Sequence, residues 1–535
     1  MPNRASTYSI IWFIKFFFKA FGVILGLCLT LVLIVYVSLA GRDIAIPERF
    51  MVQFVEKVNI VPVIDSLKFD KAFVRITPKT FKPVVTLSNV LISSQQFGKF
   101  GFPEVEAQLT LAELLQGKIR PSRVELFKPD VLIFRDEFGH LGFGFLDLKV
   151  DKEIKPQSYW SLSGIFKMPF FSQLDSINTQ DMKLRYEDKR NSESVSFVGV
   201  QSSLIQKKGT AELNISAGLK QVDRDLAKVY FSLTDRVSEK ESKVIIKFND
   251  LDVENLSNQV HSLGWLKHFD GLVSGAITGE LNSSGSISKL AGALTLEDGF
   301  IRTLSGESSY YLDTLNTHIR YDSIHHKMYF DNISIKAPEL NLEGMGNASI
   351  VTFESGIPDH FVGQLKFEKI QIIPRGVIEN VINFTDGLMD FRYSLQNSKV
   401  EIGQLILRQN GSKILSSGLV SSEVGGWKIQ LDSELSVIEH SDLLKLWPVY
   451  FKPRSREWFL KNVKSGFIQN GRYSIRMSPG LDPKYIGSFD FFDAKINVLK
   501  GHPAIRNGLG YGSINGKKFI INLQKGFLSP NNENQ

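Results

Sequence analysis

The histidines are the first residues to test for metal or catalytic chemistry, and their spacing suits neither. His325 and His326 are adjacent, so on a strand their imidazoles point to opposite faces and cannot readily share one metal ion. His261 and His268 stand about two helical turns apart, which is too distant for them to chelate one ion as a pair. We therefore predict no metal site and no cofactor.

Paired carboxylates are the second possibility, because a glycan hydrolase needs two. Asp490 and Asp493 are close in "FDFFDAK", but on a strand they would face opposite ways, and no general-acid partner can be named. The sequence also lacks a His-Glu-x-x-His motif, a nucleophile elbow and a phosphate loop, since "GSINGKK" at 512–518 has the wrong spacing. We predict that the chain is not an enzyme. A glycan hydrolase is the less favoured alternative, because its two acids need not be near in sequence.

A basic and aromatic stretch, "WPVYFKPRSREWFLKNVKSG" at 447–466, is the remaining candidate for chemistry. It has two tryptophans and five basic side chains against one acid, Glu457. The pattern predicts a short helix that Ser455 caps and Gly466 terminates. The apolar side of this helix would consist of Trp458, Phe459 and Val463. Its basic side, which would face solvent or lipid headgroups, would consist of Arg456, Lys461 and Lys464. The stretch is a structural joint, a headgroup contact or, least favoured, a catalytic site.

The composition describes a long, folded chain with many strands. Its 535 residues suggest roughly two to four domains or one elongated repetitive body. Abundant Phe and Gly, 40 and 42 residues, favour strands and turns. The single cysteine, Cys28, excludes a disulfide or a multi-cysteine zinc site within one chain. The net charge of +7 is thinly spread and no nucleic-acid-binding motif is visible, so we predict no nucleic acid partner.

A membrane anchor is the clearest signal in the sequence. Residues 20–40, "AFGVILGLCLTLVLIVYVSLA", carry no charge and are long enough to cross a bilayer core of roughly 30 Å. An uncleaved anchor fits better than a signal peptide, whose apolar core is shorter. Arg4, Lys15 and Lys19 precede the span, whereas the basic residues after it are offset by acids. We therefore predict that residues 1–19 are cytoplasmic and that the body lies on the other side of the membrane.

Beyond the anchor, apolar and polar residues alternate with the period of a strand. Clear cases are 210–217 and "WKIQLDSELSV" at 427–437. Turn dipeptides such as "NG" punctuate these segments. Helical pattern is limited to 47–58, 111–117, 443–447 and 455–465. The predicted fold is therefore mainly β, with one N-terminal transmembrane helix, an elongated and curved antiparallel sheet that forms a groove, and a few short helices.

The apolar strand faces need a cover that so few helices cannot supply. Either a second sheet, as in an ordinary protein core, or a non-protein ligand must cover them. The residues predicted to line the groove are Leu213, Ile215, Ile429, Leu431, Leu435 and Val437.

Two stretches resemble a known family. Residues 81–145 contain "FKPVVTLSNVLIS" followed by "FPEVEAQLTLAELLQGKIRPSRVELFKPDVLIFRDEFGHLGFG". With the preceding anchor, this order and spacing resemble the amino-terminal region of the AsmA-like envelope proteins of Gram-negative bacteria. "FDGLVSGAITGELNSSGSISKLAGALTLEDGFI" at 269–301 resembles a glycine-punctuated signature of the same group. Its glycines are Gly271, Gly275, Gly279, Gly285, Gly292 and Gly299. The spacing of Gly271, Gly275 and Gly279 would suit a membrane helix dimer, but Glu280 and the polar neighbours favour strand turns.

The stretch at 447–466 resembles the central segment of the YhdP-like members of this family. The matching residues are Trp447, Pro448, Arg456, Trp458, Asn462 and Gly466. AsmA-like, YhdP-like and TamB-related proteins are understood as bridge-like lipid transfer proteins, in which a β groove that is apolar inside carries acyl chains between membranes. The resemblance implies a protein that is anchored in the bacterial inner membrane, has a periplasmic body and assists phospholipid transport to the outer membrane without a catalytic residue or cofactor.

The resemblance also implies a domain order and partners. The expected regions are 1–19 in the cytoplasm, 20–40 in the membrane, 41–150 as an AsmA-like β region, 151–438 as a repetitive β groove and 439–535 as a YhdP-like segment with short helices and terminal strands. YhdP-like members continue into further repeats, so we expect a shortened version or a bridge that another envelope protein completes. The expected ligand is membrane phospholipid. A structural or assembly factor for outer-membrane proteins is the alternative function.

Overall fold

A computed structural model shows that the chain is almost entirely β-sheet beyond one long helix. The structure describes residues 4–47, 51, 65–78, 82–94, 98–110, 116, 121–135, 141–145, 174–189, 193–221, 226–236, 238–239, 241–259, 266–282, 287–303, 309–354, 357–373, 381–395, 397–447, 449, 452–498, 502–516 and 518–528. The helix predicted at 111–117, nearly all of the one predicted at 47–58, Gly285 and Pro448 lie outside these residues.

The described elements comprise four α-helices and a 29-stranded sheet. The helices are α1 (Arg4–Leu39), α2 (Val253–Gln259), α3 (His440–Leu446) and α4 (Pro453–Asn462). The strands are β1 (Ile44–Ala45), β2 (Ser66–Lys68), β3 (Lys71–Ile76), β4 (Pro83–Ser94), β5 (Gly98–Leu109), β6 (Pro121–Phe127), β7 (Asp130–Arg135), β8 (Leu141–Phe145), β9 (Ser176–Asp188), β10 (Glu193–Lys207), β11 (Thr210–Leu219), β12 (Ala227–Arg236), β13 (Ser242–Asp252), β14 (Phe269–Leu281), β15 (Ile287–Arg302), β16 (Ser309–Asp322), β17 (Lys327–Ala337), β18 (Leu340–Glu354), β19 (Ile357–Ile372), β20 (Ile382–Phe384), β21 (Asp386–Ser394), β22 (Lys399–Gln409), β23 (Ser412–Glu423), β24 (Gly426–Leu435), β25 (Ile438–Glu439), β26 (Val463–Met477), β27 (Lys484–Ile496), β28 (Ile505–Asn515) and β29 (Lys518–Leu528).

These strands form one continuous open sheet in which neighbours in sequence are mostly neighbours in space. Each long strand from β9 to β24 pairs antiparallel with the next long strand. The short strand β20 pairs with β19 beside β21. Strand β26 then pairs with β24, and β27, β28 and β29 follow in order. Among the described strands, β6 and β7 pair in parallel with β9. Within the described residues β1 and β29 do not pair, so the sheet does not close into a barrel. The predicted fold class is confirmed.

Helix α1 contains the predicted anchor. Its segment Ile14–Ser38 is long and apolar enough to cross a membrane and is unburied in the chain itself. It begins upstream of the predicted residues 20–40 and ends against the sheet, where the Tyr36 hydroxyl donates a hydrogen bond to the Pro78 carbonyl over 3.2 Å. The sheet therefore starts directly at one end of the apolar helix.

One face of the sheet is apolar from end to end. Directly paired residues on this face form a row, which we call the first row, running from Ile44 in β1 to Tyr485 in β27. Its members are Ile44, Val74, Val85, Ala107, Val124, Ile177, Leu204, Leu213, Leu233, Val244, Gly279, Leu290, Tyr321, Met328, Ala348, Gly363, Phe391, Ile402, Gly418, Leu431, Ile475 and Tyr485. No member is charged. At about 4.8 Å between strands, the row is roughly 100 Å long along its curve.

A second row lies beside the first on the same face, two residues along most strands. Its members are Ile215, Phe231, Ile246, Ile277, Gly292, Ile319, Phe330, Gly346, Leu365, Met389, Leu405, Ser416, Ser433, Tyr473, Gly487, Ile514 and Phe519. This row is apolar until it reaches Ser416, Ser433 and Tyr473. We call the face that carries both rows the inner face.

The opposite face, which we call the polar face, carries a ladder of charged residues as well as apolar residues such as the paired Leu388 and Ile406. Lys243, Glu280, Lys289, Asp322 and Lys327 are directly paired in that order across β13 to β17, with alternating sign. The Lys289 ammonium lies 2.8 Å from the Glu280 carboxylate. Cross-strand pairs of opposite charge stabilise a sheet surface, so this face is built for water.

Left-handed residues inside strands bend the sheet. Asp181, Asp250, Asn470, Asp493 and Asn507 have φ between 49° and 56° and lie where strand register shifts. Such bulges increase the local twist of a strand. The consequence is visible at His268, whose Nε2 lies 2.6 Å from the Ser398 hydroxyl although seven strands separate β14 from β22. The sheet curves enough for these two buried side chains to meet.

The interpretation of Gly271, Gly275 and Gly279 as strand turns is wrong, because all three lie within β14. Gly292 lies within β15. A Cβ at Gly275 would come within 2.4 Å of the Ala293 carbonyl oxygen. Gly275, Gly279 and Gly292 leave room on the inner face for neighbouring strands and side chains, which is a packing role rather than a turn.

Candidate functional site

The inner face is a long apolar surface that is only partly covered. Leu213, Ile215, Ile429 and Leu431 are all half-buried rather than buried. The aromatic rings of Phe231 and Phe330 in the second row are likewise only half-buried. A sheet packed against a second layer would bury such rings. The inner face is therefore an open apolar surface.

The structure places five of the six predicted lining residues on this face. Leu213 and Leu431 belong to the first row and Ile215 to the second. Ile429 pairs with Val420 and Met477 on the same face, and Leu435 pairs with Ile414 and is 7% exposed. Residues that are far apart in sequence therefore share one continuous surface.

Val437 does not extend that surface, contrary to the prediction. Strand β24 ends at Leu435, and Val437 lies in the connection to β25 with 44% of its surface exposed. Ile438 takes the interior position instead, at 2% exposure. The alternation in sequence continues past the point where the chain leaves the strand.

Helix α2 covers part of the inner face near β7 to β13. A cavity of about 390 Å³ lies there between Leu256 of the helix and the sheet. Its lining is entirely apolar and includes the second-row residues Ile215, Phe231 and Ile246. We call it the α2 cavity.

A larger cavity, which we call the terminal chamber, lies where the rows end. It has a volume of about 620 Å³ and lies between β23 to β29 and the segment α3–α4. Its floor includes Ile475 and Tyr485, the last two members of the first row, and its roof includes Trp447 and Phe459. The apolar face therefore leads into a covered space.

Trp447 and helix α4 are the parts of the stretch 447–466 that contribute to this roof, and the capping of α4 differs from the prediction. Helix α4 begins at Pro453, not at Ser455, and Lys452 with φ 51° precedes it. It ends at Asn462, and Gly466 lies within β26, where its close approach to Ala494 leaves no space for a side chain. The Asn462 amide donates to the Trp458 carbonyl over 2.7 Å.

Arg456 does not face solvent or headgroups, so that expectation is wrong. Its side chain is 7% exposed, and its Nε donates to the Trp447 carbonyl over 3.3 Å. This bond joins α4 to the residue that ends α3. The ring centroids of Trp447 and Phe459 are 5.7 Å apart, and Phe519 of β29 lies 5.9 Å from Trp447. Trp458 packs behind the roof against the core of β25 to β27.

Tyr473 is the residue of this site that the sequence reasoning missed. It lines the terminal chamber, and burial raises the pKa of its phenol to about 12. The Ser433 hydroxyl, also in the lining, lies 2.8 Å from that of Ser416. The only local signal was a polar interruption in an alternating strand, which does not reveal that two helices cover it.

Of the candidate ligands and carboxylates named from the sequence, His325 and Asp490 have local partners among the described residues. No group of three or more His, Cys, Asp or Glu side chains among them could hold a metal ion. The Nδ1 of His325 lies 2.7 Å from the Asp322 carboxylate within a turn. Asp490 accepts a hydrogen bond from Asn470, and Asp493 is a bulge residue.

Comparison of the chain with protein families, with curated proteins and with solved structures finds no match.

Proposed function

We propose that lipid acyl tails bind along the inner face and that the protein assists phospholipid transport from the inner membrane to the outer membrane. The observation that carries the proposal is the unbroken uncharged row from Ile44 to Tyr485. A row of this length on an open face has no counterpart in an ordinary core, where apolar side chains cover one another. The proposed mechanism needs no catalytic residue and no cofactor.

An apolar binding surface of this kind would greatly lower the free energy of moving a lipid tail through water. Bringing hydrocarbon into water costs about 0.8 kcal/mol per CH₂, so a tail of about sixteen carbons costs roughly 12 kcal/mol to expose. A tail that slides along the inner face exchanges one apolar contact for another and avoids most of this cost. The headgroup stays at the wet rim of the sheet, where the polar outer face begins.

The position of the anchor supports a membrane source for the lipid. Ile44, the first member of the row, lies close behind the end of α1 at Leu39. With the basic flank of α1 in the cytoplasm, the sheet stands on the periplasmic side. The resemblance of residues 20–145 to AsmA-like proteins and of 447–466 to YhdP-like proteins favours the same assignment, and with it a second envelope protein that completes the path.

Adjacent aromatic residues of β17 supply a matched test. Phe330 is in the second row, whereas Tyr329 pairs with Arg320 on the polar face. A photo-crosslinking benzoylphenylalanine at position 330 is expected to capture phospholipid in cells, as detected by mass spectrometry, and the same group at 329 is not. Equal capture at both positions, or none at 330 in folded protein, would reject the proposal.

An assembly factor for outer-membrane proteins is a second candidate, and the open edge at β29 favours it. Within the described residues β29 pairs with β28 alone, and its stretch 519–524 is uncharged, with Ile520 and Leu523 more than 40% exposed. An unprotected edge of this kind can accept a strand from another chain. Capture of an outer-membrane protein by a crosslinker at Ile520, with no lipid captured at 330, would favour this function.

A further inference from the structure

The terminal chamber differs from the rest of the inner face because it has walls on two sides. Its floor is the sheet, through Ile475 and Tyr485, and its roof is Trp447 and Phe459. Its volume of about 620 Å³ lies within the roughly 300–1,000 Å³ typical of small-ligand sites. Since both floor residues end the first row, a tail that follows the row arrives in this space.

The roof is held in place by specific contacts. Arg456 joins α4 to the end of α3 through the Trp447 carbonyl, and the Lys452 ammonium donates to the Gly516 carbonyl in the turn between β28 and β29. Trp447 also contacts the ring of Phe519. The chamber is thus part of the fold and not a gap between independent segments.

The lining of the chamber is mostly apolar, and its polar residues are Ser433, Tyr473, Ser474 and Tyr485. Ser433 and Tyr473 are paired members of the second row, which ceases to be apolar at Ser416. The Tyr473 side chain is partly buried, and its hydroxyl is not among the fully buried, unpaired polar atoms of the described residues. A tyrosine with an apolar ring and an accessible hydroxyl can donate a hydrogen bond to a bound molecule. A ligand with an oxygen acceptor beside a hydrocarbon chain could accept this bond.

We propose that the terminal chamber binds one acyl tail of a phospholipid, with an ester carbonyl accepting a hydrogen bond from the Tyr473 hydroxyl. This inference rests on the proposed function and adds to it a defined resting site at the far end of the row. The same chemistry would suit the carboxyl group of a free fatty acid. We commit to the phospholipid because the chamber continues the row that begins at the membrane helix.

Tryptophan quenching by brominated lipid tests the site directly, because bromine quenches only at short range. Trp447 lines the chamber, whereas Trp458, on the same segment, does not. Two full-length proteins would each keep one of these two and carry phenylalanine at the other tryptophans. In nanodiscs, phosphatidylglycerol with a brominated stearoyl tail is expected to quench Trp447 strongly and Trp458 weakly.

The hydroxyl is tested by Tyr473→Phe, which keeps the ring and its packing. Losing one hydrogen bond should weaken binding of the brominated phospholipid about two- to tenfold. Binding of a brominated alkane, which has no acceptor, should not change. An equal loss for both probes would mean that the hydroxyl acts only through the fold, and would overturn its assigned role.

The remaining outcomes separate the chamber from the function on which it rests. Quenching by brominated stearic acid but not by the phospholipid would overturn the phospholipid as the occupant. Lipid capture at position 330 without quenching of Trp447 would leave the transport proposal standing and reject the chamber. Neither capture nor quenching would reject both.

Discussion

The sharpest test of lipid transport along the inner face is a single charge introduced at Ile246. This residue is in the second row, between Phe231 and Ile277, and lines the α2 cavity. Every tail that moves along the inner face must pass it. We therefore expect Ile246→Asp to slow phospholipid transfer while leaving the sheet folded, because Ile246 is only half-buried.

The size of the effect follows from two terms. Replacing the isoleucine removes about three CH₂ equivalents of apolar contact, roughly 2 kcal/mol. A tail that covers the new carboxylate must also strip its water, which costs about 2 kcal/mol more. The first term alone slows a step over this position about thirtyfold, and the sum slows it about a thousandfold.

The neighbouring Ile245 is the matched control. It is the same residue type in the same strand and is also half-buried, but it lies on the polar face between Ser232 and Thr278. Transfer of a fluorescent phospholipid from vesicles carrying the protein to acceptor vesicles should fall at least thirtyfold for Ile246→Asp and less than about threefold for Ile245→Asp. Equal rates for the two variants, at matched thermal stability, would refute the reasoning.

Three further predictions concern the stability of the fold that carries the inner face. Burial lowers the pKa of His268 below its ordinary 6.5, so the unfolded chain binds the proton first. His268 therefore contributes stability above that value and loses it as the pH falls through it. The difference in melting temperature between wild type and His268→Gln should shrink from about pH 7.5 to about pH 5.5; a constant difference would contradict this. Arg456→Ala should lower the free energy of unfolding by about 2–3 kcal/mol, because it removes a buried charged side chain that donates to the Trp447 carbonyl. Arg454→Ala, at an exposed position, should lower it by less than about 0.5 kcal/mol, and denaturant titration measures both. Gly346→Val should cost at least about 2 kcal/mol, because a Cβ there would come within 2.3 Å of the Gln364 carbonyl oxygen; unchanged melting would refute that packing.

Much of the fold could be predicted because strand signals are local. The alternation at 210–217 lies inside β11, and that at 427–437 covers all of β24 except Gly426. Side chains alternate between the two faces of a sheet along each strand, so the sequence alone shows that Leu213 and Leu431 lie on the apolar face. The apolar helix could be predicted equally well, because its length and composition alone identify it.

The errors concern properties that depend on what lies opposite a residue. Gly275 has the spacing of a turn glycine, and only the pairing of β14 with β15 shows that it lies within a strand. Arg456 looks like a surface residue of a basic helix, but α3 and its terminal carbonyl lie against it. Tyr473 and the chamber could not be predicted, because nothing local to β26 indicates that α3 and α4 cover it.

The open inner face has a consequence for stability as well as for transport. An apolar face roughly 100 Å long that remains in water gives up free energy that a second layer would have recovered, about 25 cal/mol for each Å² left exposed. A lipid that binds this face in the folded chain and not in the unfolded chain returns part of that free energy by mass action. The charged ladder from Lys243 to Lys327 presents polar groups to solvent on the other face, and the bulges increase the twist of the sheet that would curve around the proposed lipid. On this view the missing second layer of the sheet is the lipid itself, so loading and folding stability are coupled at every strand the tail covers.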